Sequence, residues 1–184
     1  ANGIQSALTN AVANGQNDTI NIVAGTYSLS AALAFDSSEA HSLALIGGWN
    51  AGCTINIGDD TIVDGQHLVP LLDLTNSNGS ITVANLTFVA GRTEAALEAV
   101  VQVVSNTGPI FIDRNTFLGN RSVNGNGALT AYADAGGVHV RGNLVIGNRG
   151  ALLGNVAVGH GGGESYVTGN TILNNTTDTA GQAG

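Results

Sequence analysis

Residues 110–117 read IFIDRNTF, and three other stretches repeat the pattern: ITVANLTF at 81–88, VHVRGNLV at 138–145 and SYVTGNTI at 165–172. Aligned on Phe88, Phe117, Val145 and Ile172, the copies stand 29, 28 and 27 residues apart. A second track lies upstream in the same steps. Leu72, Val101, Leu129 and Val156 begin it, and Leu74, Val103, Ala131 and Val158 follow. Val, Ile, Thr and Asn dominate these segments, which favours strands and tight turns over helices. Two strand-like tracks that share one near-constant period describe a chain winding once per period, each coil stacked on the one before. The predicted fold class is all-β: a parallel β-helix, or solenoid.

The rest of the chain is read against that period. Ile4, Ala7, Leu8, Ala11 and Val12 have helical spacing, and Gly15 stands where a helix stop belongs. A helix over 4–14, laid across the open first rung, would cover its apolar end and blunt its edge. Residues 18–30, 42–48 and 61–65 read as less regular strands, Trp49–Gly58 as an excursion, and 92–100 as a loop with a short helical turn. The chain is therefore divided into a capping helix (1–16), irregular first coils (17–66), regular coils (67–176) and a tail (177–184), all within one domain spanning 1–184.

A corner position reads Leu86, Asn115, Asn143 and Asn170. Coils stack at roughly 4.8 Å. Inward asparagines on successive rungs can hydrogen-bond to the copies above and below, as in other stacked sheets.

Composition narrows the function classes. The net charge is −8, and all five basic residues are arginines. An acidic surface repels nucleic acid and anionic lipid. No segment approaches the ~18–20 apolar residues of a membrane span. The lone Cys53 cannot form an internal disulfide and is expected to be a small buried apolar side chain. The chain starts at Ala1 and shows no signal peptide, as expected of a processed mature protein or an excised fragment.

With these residues in view, the chain resembles the right-handed parallel β-helix proteins of the pectate-lyase-like superfamily. IQSALTNAVANGQNDTINIVAGTYSLS is similar to their opening helix, strand and turn, and LIGGWNAGCT, TIVDG and NLTF are similar to segments of large bacterial surface β-helix proteins. The resemblance implies a right-handed coil with an N-terminal helical cap, and a secreted or cell-surface location. It does not imply one activity, because this scaffold carries lyases, hydrolases, adhesins and inert stalks.

Several clusters are candidates for chemistry. Arg92, Arg121 and Arg149 keep the 29- and 28-residue steps and should form a column outside the coil. Uronate or sulfate groups could bridge them, but the simpler reading is that each closes a turn beside a carboxylate such as Glu94 or Glu98. A lyase needs a proton-abstracting base and commonly Ca²⁺. Asp113, His139 and Arg141 are the conceivable set, although they match no catalytic motif of the family. Asp59, Asp60 and Asp64 form the one dense acidic group and a candidate Ca²⁺ site, with turn closure the simpler role. No other cofactor is expected. His160 and Glu164 lie in a glycine-rich stretch read as an inter-coil loop.

After 165–172 the sequence NNTTDTAGQAG offers no amphipathic helix to close the last rung. An open rung is a template for more coils of the same chain or for another subunit adding head to tail into a fibre. The expected function is a non-catalytic extracellular scaffold, either an adhesive surface module or a self-assembling one, in contact with glycans. The alternative is a secreted polysaccharide lyase or glycoside hydrolase acting on acidic polysaccharide.

Overall fold

Alternation along each short strand puts every second side chain inside the coil, and the period makes like residues meet between coils. In the computed structural model, which describes residues 2–96, 98–151 and 155–178, Ile110–Asp113 lies between Ile81–Ala84 and Val138–Arg141. Ile110 faces Ile81 on one side and Val138 on the other. Among the described residues all strand pairings are parallel, and they build four sheets along the winding axis. The first contains Asp18–Val23, Leu43–Trp49, Ile81–Ala84, Ile110–Asp113, Val138–Arg141 and Ser165–Thr168. The second runs from Gly25–Ser28 through Thr116–Leu118 to Thr171–Leu173. The third runs from Leu33–Ser37 through Val101–Ser105 to Val156–His160. The fourth consists of the two-residue strands Arg92–Thr93, Arg121–Ser122, Arg149–Gly150 and Thr176–Thr177. The fold is thus an all-β parallel solenoid with one short N-terminal helix.

One continuous core fills the coil. Val83, Ile112 and Val140 stack in it, beside Phe88, Phe117 and Val145. The Phe88 and Phe117 rings are both fully buried and stack with centroids 5.4 Å apart. Burying such a side chain contributes about 1.5–3 kcal/mol, so the repeated inward column holds the rungs together.

Two corners of each of the four later coils use left-handed backbone. Asn85, Arg114, Gly142 and Gly169 occupy the first, with φ between 53° and 64°. Ala90, Gly119, Gly147 and Asn174 occupy the second, with φ between 49° and 63°. Glycine and asparagine adopt this region at least cost. A third corner requires glycine for space. A Cβ on Gly108 would lie 2.1 Å from the Gly79 carbonyl oxygen, and one on Gly136 would lie 2.2 Å from that of Gly108.

The helix α1 spans Asn2–Ala11, starting and ending earlier than the periodicity predicts, and Gly15 turns the chain at φ 72°. Ile4, Leu8 and Ala11 are buried. They pack toward Asp18–Val23 and Leu33–Ser37, the outermost strands of the first and third sheets.

Three expectations need correction or narrowing. Cys53 is exposed, not buried. Asn50–Gly58 leaves the coil and returns by a Trp49–Asn56 bridge, so Cys53 sits at a left-handed turn in solvent, its N–H donating to the Asn50 carbonyl. The segment 92–100 contains a short strand at 92–93 and a turn at 95–96, with no helix among its described residues; Leu97 lies outside them. The expected tail, 177–184, is described only as far as Asp178.

Candidate functional site

The first sheet carries most of the outward chemistry. Its register brings Phe111, His139 and Tyr166 into one exterior column on successive rungs. The rings stack, with centroids 4.9 Å apart for Phe111–His139 and 5.1 Å for His139–Tyr166. The adjacent column pairs Asp113 with Arg141. Arg141 donates to both Asp113 carboxylate oxygens, at 3.0 Å from Nε and 2.6 Å from Nη2, and its guanidinium carbon lies 5.9 Å from the Phe111 ring centroid. The structure therefore brings Asp113, His139 and Arg141 onto one face, each engaged with a protein partner. The hydrogen bond and charge of Asp113 hold Arg141 above the ordinary guanidinium value. That makes it a poorer proton acceptor than a free arginine.

Arg121 pairs in register with Arg92 on one side and Arg149 on the other, and Thr176 follows Arg149. Arg92 bonds to Glu94 at 2.6 Å, and Arg149 bonds to Asp178. Arg121, between them, has no carboxylate partner among the described residues, and its buried Nε has no hydrogen-bond acceptor. The column thus has compensated ends and an uncompensated middle.

The acidic group does not converge. Asp59 and Asp60 line a cleft of about 190 Å³ with Asn56, Asn85 and Arg114. Asp64 instead accepts the Gln66 N–H and closes its own turn. Among the described residues, no three His, Cys, Asp or Glu side chains come close enough to hold a metal ion. His160 ends a strand of the third sheet, and Glu164 accepts a hydrogen bond from the Tyr166 hydroxyl, which raises that phenol above its ordinary value.

The asparagine corner forms a ladder by backbone and side chain together. Asn143 Oδ1 accepts the Asn115 N–H at 2.8 Å and the Asn115 Nδ2 at 3.2 Å. Asn143 donates its own N–H and Nδ2 to Asn170 Oδ1, both at 2.9 Å. Each Nδ2 also reaches back to a carbonyl of the coil below: Val83 for Asn115, Ile112 for Asn143, Val140 for Asn170.

A second ladder, not anticipated from the sequence, runs through Asn120, Asn148 and Asn175 with the same geometry. Its signal was present, because an asparagine recurs five residues after each member of the first ladder. Gly91 occupies the preceding place in that column and donates its N–H to Asn120 Oδ1, as Leu86 does to Asn115 in the first.

Both ladders reach the last described rung. The N–H groups of Asn170 and Asn175 have no acceptor among the described residues, and neither do those of Gly169 and Asn174. No family model matches this chain, and no curated protein or solved structure matches it either.

Proposed function

We propose that this chain is a non-catalytic extracellular scaffold of the pectate-lyase-like β-helix type. In this reading it takes further coils on its C-terminal rung and contacts anionic polysaccharide along the arginine column. The observation that carries the reading is the satisfaction of the exterior first sheet by the protein itself. Phe111, His139 and Tyr166 are stacked, and Arg141 is locked onto Asp113.

A lyase needs a base able to shed its proton, and a hydrolase needs two facing carboxyl groups. Arg141 is held protonated, and Asp113 is spent on it. Arg121 is different, because among the described residues its charge stands without a carboxylate partner, between two paired arginines. A carboxylate or sulfate of a polysaccharide would compensate it through bidentate hydrogen bonds.

Head-to-tail stacking of whole molecules fits less well than addition of a coil. The opposite end carries α1, whose outward Ser6, Thr9 and Asn10 are exposed polar residues and a poor match for an apolar rung.

The test is retention of the purified chain on immobilised polygalacturonate and on a neutral glucan, with release of unsaturated uronate followed in parallel. Expected are salt-sensitive retention on the acidic polymer only, its loss in Arg121→Gln, and no product. Product release, abolished by Arg141→Gln, would overturn the scaffold reading in favour of the lyase.

A further inference from the structure

Three rung-to-rung ladders run out together at the C-terminal edge. In the coil before it, the N–H groups of Asn143 and Asn148 donate to the Oδ1 of the next asparagine at 2.9 and 2.8 Å. Those of Gly142 and Gly147 donate to the Thr168 and Leu173 carbonyls at 3.0 and 3.1 Å. The equivalent donors on the last rung are Gly169, Asn170, Asn174 and Asn175, and none has an acceptor among the described residues. The aromatic column ends at Tyr166, which stacks on His139 through one ring face only. The inward aliphatics change at the same boundary. Val140 and Val145 are 3% and 2% exposed, whereas their successors Val167 and Ile172 are 51% and 53% exposed.

We propose that this rung is the docking site of one further polypeptide coil with a definable sequence. From its N-terminal end, the docking segment has an aromatic residue, an aliphatic, two free positions and an asparagine. After one more free position come an aliphatic, two free positions and a second asparagine. That is the spacing of Tyr166, Val167, Asn170, Ile172 and Asn175, and of His139, Val140, Asn143, Val145 and Asn148 one coil earlier. The aromatic extends the stack, the aliphatics cover Val167 and Ile172, and the two side-chain oxygens take the Asn170 and Asn175 N–H groups. The edge is then augmented as an added strand augments any open sheet.

A second copy of this molecule does not offer those oxygens. On its last rung, Asn170 Oδ1 already accepts from Asn143 N and Nδ2, and Asn175 Oδ1 from Asn148 N and Nδ2. Its first rung lies under α1. The occupant is therefore a coil of the same repeat, not the rung of a second copy. This inference rests on the scaffold reading of the rung and deepens it.

The test uses the full chain and a synthetic peptide of residues 138–164, one whole coil with its asparagines in place. Expected is saturable one-to-one binding. It is weakened about thirtyfold when the peptide carries both Asn143→Ala and Asn148→Ala, the loss of two net hydrogen bonds at about 1 kcal/mol each. It is abolished by Val167→Asp in the protein, a substitution at an exposed position whose fold is checked by circular dichroism.

Absence of binding, or equal binding of both peptides, overturns the proposal. So does hydrogen exchange that finds the Gly169, Asn170, Asn174 and Asn175 amides protected in the isolated chain, since the rung is then already covered. A dimer in sedimentation velocity that Val167→Asp dissolves overturns it in favour of a second copy. Uronate release is a separate readout: it removes the scaffold reading whether or not the peptide binds.

Discussion

The side-chain amide of Gln5 pairs with the backbone of Ala34 as a neighbouring strand would. Its Nε2 donates to the Ala34 carbonyl at 3.0 Å, and its Oε1 accepts the Ala34 N–H at 2.9 Å. Ala34 belongs to Leu33–Ser37, the outermost strand of the third sheet. One side chain of α1 thus satisfies an edge that would otherwise be open to another chain, while Leu8 closes the core beneath it. The two ends described are opposites: one is sealed by a helix, and the last described rung has edge donors without acceptors among the described residues.

Gln5→Glu should destabilise the cap in a pH-dependent way. The carboxylate keeps the Ala34 N–H but faces the Ala34 carbonyl, so folding favours its protonated form. Its folded pKa is then raised, and the variant should approach the parent at low pH and lose stability as pH rises through that value. Gln5→Leu should lose about 1 kcal/mol at every pH. Thermal melts of both variants across the acid range check this.

Asn143→Leu and Asn143→Asp should differ in the same manner, on a larger scale. Leucine strands the Asn115 N–H and the Ile112 carbonyl, both bonded to Asn143 in the parent. That should cost about 2–4 kcal/mol regardless of pH. Aspartate keeps the first bond but sets a buried carboxylate against the oxygens of Ile112, Arg141 and Asn170, which now accept from Nδ2. It should be the less stable variant at neutral pH and recover on acidification. An aspartate variant as stable as the leucine one at neutral pH would refute the ladder.

Gly108→Ala and Gly119→Ala separate crowding from backbone strain. The first puts a methyl 2.1 Å from the Gly79 carbonyl oxygen, while the second meets nothing within 4 Å but sits at φ 62°. Chemical denaturation should show a loss of roughly 1–2 kcal/mol for Gly119→Ala, from the left-handed backbone alone. Gly108→Ala should lose more, because the neighbouring coil must move. Gly119→Asn should be milder than Gly119→Ala, as Asn174 already occupies that column.

Glu164→Gln should lower the ionisation midpoint of Tyr166. The hydrogen bond to Glu164 and the carboxylate's charge both raise the phenol in the parent, and glutamine removes the charge and weakens the acceptor. Ultraviolet titration of phenolate absorbance should show one of the three tyrosines shifting to lower pH in the variant. An unchanged titration curve would mean that Tyr166 and Glu164 do not pair.

The coil was legible because burial repeats with the chain: Val83, Ile112 and Val140 recur at the period, and so do Phe88, Phe117 and Val145. The second asparagine ladder was missed because Asn120, Asn148 and Asn175 lie three residues beyond the aligned stretches that end at Phe117, Val145 and Ile172. Cys53 misled because residue-type burial is an average, and nothing in it marks a turn outside the coil. Arg149–Asp178 was invisible for another reason, since two side chains 29 residues apart meet only once the rungs are stacked.

The sequence alone determined the winding. Period, alternation and turn residues are local chemistry repeated down the chain, and only a stacked coil buries all of them at once. The tertiary structure alone decided which outward groups neutralise one another and which stand free. Asp113 could answer Arg141 or a substrate, and Arg121 could find a carboxylate or none. Those outcomes are set by side-chain distances of a few ångströms between rungs, which no spacing along a single strand encodes.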